Sequence, residues 1–244
     1  MSVSLRVVTY NIHKGVQGLG PARRLEIHNL QLAVEQFDAD LVCLQEVRRV
    51  HRQMQQRFER WPSAGQASYL APEGYEAIYR TNAYTRHGEH GNALLSRWPV
   101  LRAGHQDVSD HPFEQRGLLH VQVLVEERPV HVVVVHLGLI HASRERQIIR
   151  LGQFLAREVP EVEPLIVAGD FNDWGVRLHR PMAALGLHTF DDIRLATFPS
   201  RLPVLHLDRV YVRGLRLLNA QVPNGRIWSR MSDHLPLITE LELA

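Results

Sequence analysis

The sequence predicts a layered α/β sandwich in which two packed β-sheets lie beneath helices. Short apolar runs rich in Val, Ile and Leu recur from end to end, divided by Gly, Pro, Asp and Asn, the mark of many short strands. Two segments instead repeat their apolar residues every 3.6 positions, as a helix laid on a sheet does. Helices outside and sheets inside give the sandwich.

In chain order the expected strands are Leu5 to Ile12, Leu41 to Gln45, Tyr75 to Tyr79, Asn92 to Ser96, Gly117 to Val125, Val130 to His136, Leu165 to Ala168, Leu205 to Val212 and Leu235 to Leu241. So many strands favour two packed sheets. The first helix follows Ile27, Leu30, Ala33, Val34 and Phe37; the second follows Ile148, Leu151, Phe154 and Leu155, with Ser143 as its expected N-cap. Gln53 to Gly74 is polar and broken by Pro62 and Pro72, so it reads as a helix and then a long surface loop where substrate selectivity can reside. With no repeat or linker to divide 244 residues, a single domain over 1–244 is expected.

Composition narrows the class. A content of 45% hydrophobic and 22% charged residues suits a globular chain and excludes a disordered one. The net charge of +2 gives weak support for a polyanionic partner. Lys14 is the only lysine, and the remaining cations are arginines, which suit bidentate contact with phosphate. Cys43, the single cysteine, sits in an apolar run and reads as a small core residue, so no intramolecular disulfide forms. No secretory leader pattern and no apolar stretch of about 20 residues is present, and a cytoplasmic location is expected.

The chemistry gathers where strand-like runs stop. The first ends Thr9-Tyr10-Asn11, the second Gln45-Glu46, the sixth His136 and the seventh Gly169-Asp170-Phe171-Asn172, and the last begins after Ser232-Asp233-His234. Glu46 with Asn11 makes the oxygen half-shell that Mg²⁺ takes from a protein. Asp170 can orient or deprotonate a water, and Asn172, two residues on in an extended chain, can donate to an oxyanion. Asp233-His234 adds a carboxylate and an imidazole, and Asp208 is a candidate partner that fixes the imidazole's tautomer. Plainer alternatives stand beside each. Glu46 can be a strand-end ion pair, the Asp170-Asn172 pair an Asx turn, Asp208 a partner of Arg209, and His136 structural. His13, His141 and His206 are taken as structural or supporting, and the basic face Arg48, Arg49, Arg52 and Arg57 can be a solvated helix.

In register, TYNIHKG (Thr9 to Gly15), LQEV (Leu44 to Val47), GNALLSRWPV (Gly91 to Val100), RGLLHV (Arg116 to Val121), VVHLG (Val134 to Gly138), AGDFND (Ala168 to Asp173), TFPS (Thr197 to Ser200), LDRVYV (Leu207 to Val212) and SDHLP (Ser232 to Pro236) span nearly the whole chain. This set resembles the endonuclease/exonuclease/phosphatase superfamily, which includes DNase I, AP endonucleases, bacterial sphingomyelinases and inositol polyphosphate 5-phosphatases. The resemblance implies a four-layer, DNase I-like α/β sandwich of two packed, mainly antiparallel sheets flanked by helices. It also implies hydrolysis of a phosphoester by metal-activated water. Carried over by position, Asn11, Glu46 and Asp233 serve the metal, Asp170 and Asn172 position nucleophile and phosphate, Asp208 orients His234, and His136 contacts the phosphate. The chain departs from AP endonucleases, with His13 where they place a metal-binding aspartate and Gln106 where they place a tyrosine. The glutamate that pairs with the DNase I histidine at the His136 position has no evident counterpart.

The expectation is therefore a Mg²⁺-dependent hydrolase, with Mn²⁺ as a substitute, acting on a phospholipid head group, a small phosphoester or nucleic acid. Catalysis would rest on Asp170 as base with His234 and His136 stabilising the phosphate. A nuclease restricted to DNA or RNA is the nearer alternative. A catalytically silent binding module is the remoter one, since every main site position is filled.

Overall fold

The apolar runs become strands because alternate side chains along them find apolar neighbours on both faces of a sheet. The computed structural model describes residues 3–190, 195–223 and 225–243. In chain order its elements are β1 (Val3–Asn11), the two-residue strands β2 (Val16–Gln17) and β3 (Arg24–Leu25), helix α1 (Ile27–Phe37), β4 (Leu41–Val47), helices α2 (Arg52–Arg57) and α3 (Gln66–Leu70), β5 (Glu76–Thr85), β6 (Gly88–Ser96), β7 (Val100–Asp107), β8 (Gly117–Val125), β9 (Arg128–His136), α4 (His141–Glu158), β10 (Leu165–Asp170), α5 (His179–Ala184), β11 (Asp208–Arg213), β12 (Arg216–Gln221), α6 (Trp228–Met231) and β13 (Leu237–Leu243).

One sheet runs β12-β13-β1-β4-β6-β5, the other β11-β10-β9-β8-β7, and β2 pairs with β3. The pairs β1–β4 and β9–β10 are parallel; the other neighbours within the two large sheets are antiparallel. Period-2 alternation builds three apolar cores. Val7, Leu41, Cys43, Val132, Val134, Ile166 and Ala168 fill the space between the sheets. Val8, Val42 and Leu44 face outward onto α1 through Leu30, Val34 and Phe37. Val133, Val135, Leu165 and Val167 face the other way onto α4 through Ile148, Leu151 and Phe154. Three interfaces make four layers, helix on sheet on sheet on helix.

Several expectations change in detail. β7 and β12 were not expected; both are edge strands, exposed enough that their sequences lose apolar alternation. β5 extends past Tyr79 to Thr85, while the strand expected from Leu205 starts only at Asp208. The long loop expected after α2 contains α3, which buries Ala67 and Leu70 against α1's core. Ser143 does not cap α4: the helix begins at His141, and the Ser143 hydroxyl donates to Asp110 Oδ2 at 2.7 Å. Cys43 is fully buried, as its apolar run implies. Among the described residues no helix is long and apolar enough to cross a membrane.

The parallel pairs send the carboxyl ends of β1, β4, β9 and β10 to one edge, and the antiparallel neighbours start there. Close strand approach at that edge needs Gly169, where a Cβ would meet the Val135 carbonyl oxygen at 1.9 Å. Gly169→Ala is therefore expected to cost about 3 kcal/mol of stability through forced strand separation. Urea unfolding measures this, and an unchanged midpoint would show that the strands open freely.

Candidate active site

Sheet register alone sets three titratable side chains in a row. Asp170 pairs across the parallel ladder with His136 and across the antiparallel ladder with Asp208. β13 brings His234 against them: its Nδ1 lies 2.8 Å from Asp208 Oδ2, which also accepts the Thr197 hydroxyl at 2.6 Å. Nε2 of His234 and Nε2 of His136 each stand 3.6 Å from Asp170 Oδ2. The other sheet reaches across through Asn11, whose Nδ2 donates to Asp170 Oδ2 at 3.1 Å, and the Asn172 amide donates to Oδ1 at 2.9 Å.

A second, more open cluster adjoins the first. The β4–β6 register breaks between Leu44 and Val47, and this bulge re-aims Glu46, whose φ is 57°. Its carboxylate accepts Lys14 Nζ at 2.5 Å. His13 Nδ1 lies 3.1 Å from Asp233 Oδ2 and 4.0 Å from Glu46 Oε2. Asn11 Oδ1 holds the His13 amide at 3.1 Å, and the Ser232 hydroxyl holds the Asn11 carbonyl at 2.6 Å. Gln66 of α3 ties both loops together, donating to the Lys14 carbonyl and accepting from the Arg48 amide, each at 2.8 Å.

Burial and these neighbours set the charges. Burial beside Asp208 pushes Asp170 up to about 7, against the opposing pull of His234 and Asn11. For His234 burial disfavours the cation, yet Asp208 and Asp170 outweigh it and raise the imidazole to about 10. His136 goes the other way, held well below its ordinary value by burial and the nearby Arg116. Burial would raise Glu46, but Lys14, His136 and His13 hold it well below the usual carboxylate range. His90, desolvated next to Lys14, falls to about 4. At neutral pH the inner cluster thus pairs an imidazolium with two acids while His136 stays neutral.

All eight residues singled out from the sequence, Asn11, Glu46, His136, Asp170, Asn172, Asp208, Asp233 and His234, meet at this edge. The route differs for Asn172. The chain is not extended there: its φ is 49° and Asp170 bonds its amide, so the Asx-turn reading is right, and the side chain turns to donate to the Leu137 carbonyl at 2.9 Å. Arg209 does not pair with Asp208; one of its nitrogens lies 2.8 Å from His179 Nε2. His136 has two acidic neighbours, Asp170 with Oδ2 3.6 Å from its Nε2 and Glu46 acting on it through charge. His13 moves from a supporting role into the cluster. Lys14, Gln66, His90, Arg116 and Thr197 were not foreseen, although Lys14 as the sole lysine and Thr197 in TFPS carried a signal.

One donor set meets a cation's proximity requirement, and a second pair of carboxylates, Glu46 and Asp233, shares His13 as a neighbour. Ligand atoms of Asp170, Asp208 and His234 lie within 4.8 Å of one another, but Asp208 and His234 already bond each other and their side chains are 0% and 6% exposed. Mg²⁺ keeps several waters, and that set has no room for them. Glu46 and Asp233 are side chains 16% and 40% exposed, and both already draw in basic groups. They are the better fit for a hydrated hard cation.

A rim of this kind on a four-layer sandwich defines a family, and the comparison with known proteins agrees. The chain belongs to the Endonuclease/Exonuclease/phosphatase family, whose pattern matches residues 8–234; the family includes metal-dependent phosphoesterases and nucleases. It is 38% identical to the Escherichia coli protein YbhP over 251 residues, 98% of this chain and 97% of YbhP. A family structure from Bacteroides vulgatus superposes with TM-score 0.77 at 18% identity, covering 99% of this chain and all of that one. D. rerio TDP2 complexed with single strand DNA product superposes at 0.66 with 17% identity, covering 98% of each chain. The fold is DNase I-like.

The charge assignment has a thermodynamic sign. A folded pKa raised above the unfolded value contributes stability below the unfolded pKa and loses it as pH rises through the folded one. For His234 that window opens near 6.5 and closes near 10. Thermal unfolding of the metal-free chain should show Tm falling from pH 7 to pH 10, with a shallower fall in His234→Asn. Parallel slopes for the two would contradict the imidazolium.

Proposed function

We propose that the chain hydrolyses phosphoesters with a water handled by Asp170. The observation that carries this reading is the convergence of both imidazole Nε2 atoms on Asp170 Oδ2 at 3.6 Å. That separation is too long for direct hydrogen bonds, so the three groups aim at one place without consuming one another. A phosphoryl group and a water are the species that need a base and two donors together.

Asp170 is positioned by Asn11 and by the Asn172 amide and accepts a proton from the attacking water. His234, charged and held by Asp208, which Thr197 fixes in turn, donates from Nε2 to a phosphate oxygen. Neutral His136 donates to a second oxygen. Nδ2 of Asn172 spends one hydrogen on Leu137 and keeps the other for the phosphate. Glu46 and Asp233, with Asn11 behind them, would hold Mg²⁺, or Mn²⁺ in its place. When bound, the cation neutralises charge on the phosphate or leaving oxygen. The DNA product in TDP2 makes an oligonucleotide one substrate to include in a screen.

Glu46→Ala, Asp170→Ala and His234→Ala are each expected to lower metal-dependent turnover of bis(p-nitrophenyl) phosphate by about a hundredfold or more while near-UV circular dichroism stays native. Full turnover in all three would refute the assignment.

A further inference from the structure

Helix α1 carries one apolar side chain that its core does not use. Its buried stripe is Ile27, Leu30, Ala33, Val34 and Phe37, and Leu32 lies outside it, 57% exposed. Asn29, Leu32, Ala33 and Gln36 stand at i, i+3, i+4 and i+7, so they share one side of the helix. The short helix α6 lies against α1, and the two enclose a groove of about 480 Å³, a volume that suits a small molecule. Leu32, Ala33, Ile227, Trp228 and Met231 give it an apolar lining. Trp228 is a rigid wall, because its ring stacks on Phe37 with centroids 5.6 Å apart and planes 10° apart.

The charged groups of the lining are unequal. Glu26, 6% exposed, has both oxygens bonded, one accepting Arg24 Nε at 3.2 Å and the other Asn29 Nδ2 at 2.7 Å. Arg230 is exposed, and among the described residues its guanidinium makes no hydrogen bond or ion pair. The groove therefore offers an apolar interior, a carboxylate already neutralised and one uncommitted cation. That combination is complementary to an anion with an apolar body.

We infer that the groove between α1 and α6 binds a small amphipathic carboxylate, its apolar body against Leu32, Ala33, Ile227 and Met231 and its carboxylate on Arg230. Burial of the apolar body drives binding, and the planar guanidinium fork selects the carboxylate over an uncharged head. The groove lies outside the phosphoesterase reading and does not depend on it, yet it connects to the same site. Met231 of α6 is buried in one core with Tyr10 and Ile12, and the next residue, Ser232, bonds the Asn11 carbonyl at 2.6 Å before Asp233 and His234 follow. A ligand that ties α6 to α1 also holds the segment that presents His234.

The test is titration of the full chain with phenylbutyrate, and with phenylbutanol as the uncharged control, followed by indole N–H signals in proton–nitrogen correlation spectra. The chain has four tryptophans, and the signal missing from Trp228→Phe identifies the one to follow. That signal should move to saturation with phenylbutyrate, and phenylbutanol should bind at least about tenfold more weakly. Arg230→Gln should weaken phenylbutyrate about tenfold and leave phenylbutanol unchanged. Leu32→Glu, a change at an exposed helix position that keeps the fold, should abolish saturation by setting a second carboxylate in the groove. A signal that never saturates, equal affinity for the alcohol, or wild-type affinity in either variant would overturn the site. A shift of the same signal on simple concentration of the ligand-free chain would place a second copy in the groove and overturn it equally. Amide hydrogen exchange at Ser232 to His234 should slow at saturation; unchanged exchange would overturn the connection to the active site and leave the binding site standing.

Discussion

Two carboxylates, Asp170 and Asp208, stand opposite each other on adjacent strands with almost no exposure, and the imidazolium of His234 is what lets them do so. Burying like charges side by side is costly, and a partner offsets the cost only when its geometry is good and the remaining oxygens are hydrogen-bonded. Here Asn11 and the Asn172 backbone amide bond the two oxygens of Asp170 and Thr197 bonds Asp208 Oδ2, while Asp208 Oδ1 has no hydrogen-bond partner among the described residues. Because Asn11 belongs to one sheet and Asp170 to the other, the same bonds that satisfy the charges join the two sheets at this edge. Stability of the edge and competence of the site are thus one electrostatic problem.

Its solution carries backbone strain. His13, Lys14, Glu46 and Asn172 all have positive φ, a region that costs a non-glycine residue about 1 kcal/mol or more. Each is over-determined by its surroundings: His13 by Asn11, Lys14 by Glu46 and Gln66, Asn172 by Asp170. The strain separates two environments that a regular strand end would merge. Asp170, Asp208 and His234 close on one another in a dry cluster suited to moving a proton, whereas Glu46 and Asp233 remain partly wet and strongly acidic, suited to a cation that keeps its waters.

Much of this was legible from sequence, because double-sided burial forces continuous apolar runs and ends them where polar groups can meet. Runs such as Val130 to His136 and Leu165 to Ala168 announced both the strands and the row His136, Asp170, Asp208 that their register creates. What escaped had weak local signals. The edge strands β7 and β12 read as surface, and α3 is too short to show a period. For Asn172 the sequence left an extended chain and an Asx turn both open, and only the folded geometry, with φ 49° and Asp170 bonding its amide, chooses the turn. Gln66 lies far in sequence from the loops it ties together, so only tertiary structure reveals it.

The three apolar cores are closed by residues such as Leu30, Leu119 and Leu151 that are completely buried, and the sandwich needs nothing further from Phe113, Leu202 or Ile227. Surface loops tolerate polar residues at no cost to such a core. The site keeps its two groups of side chains apart: partly exposed carboxylates at Glu46 and Asp233, and buried imidazoles at His136 and His234 facing Asp170.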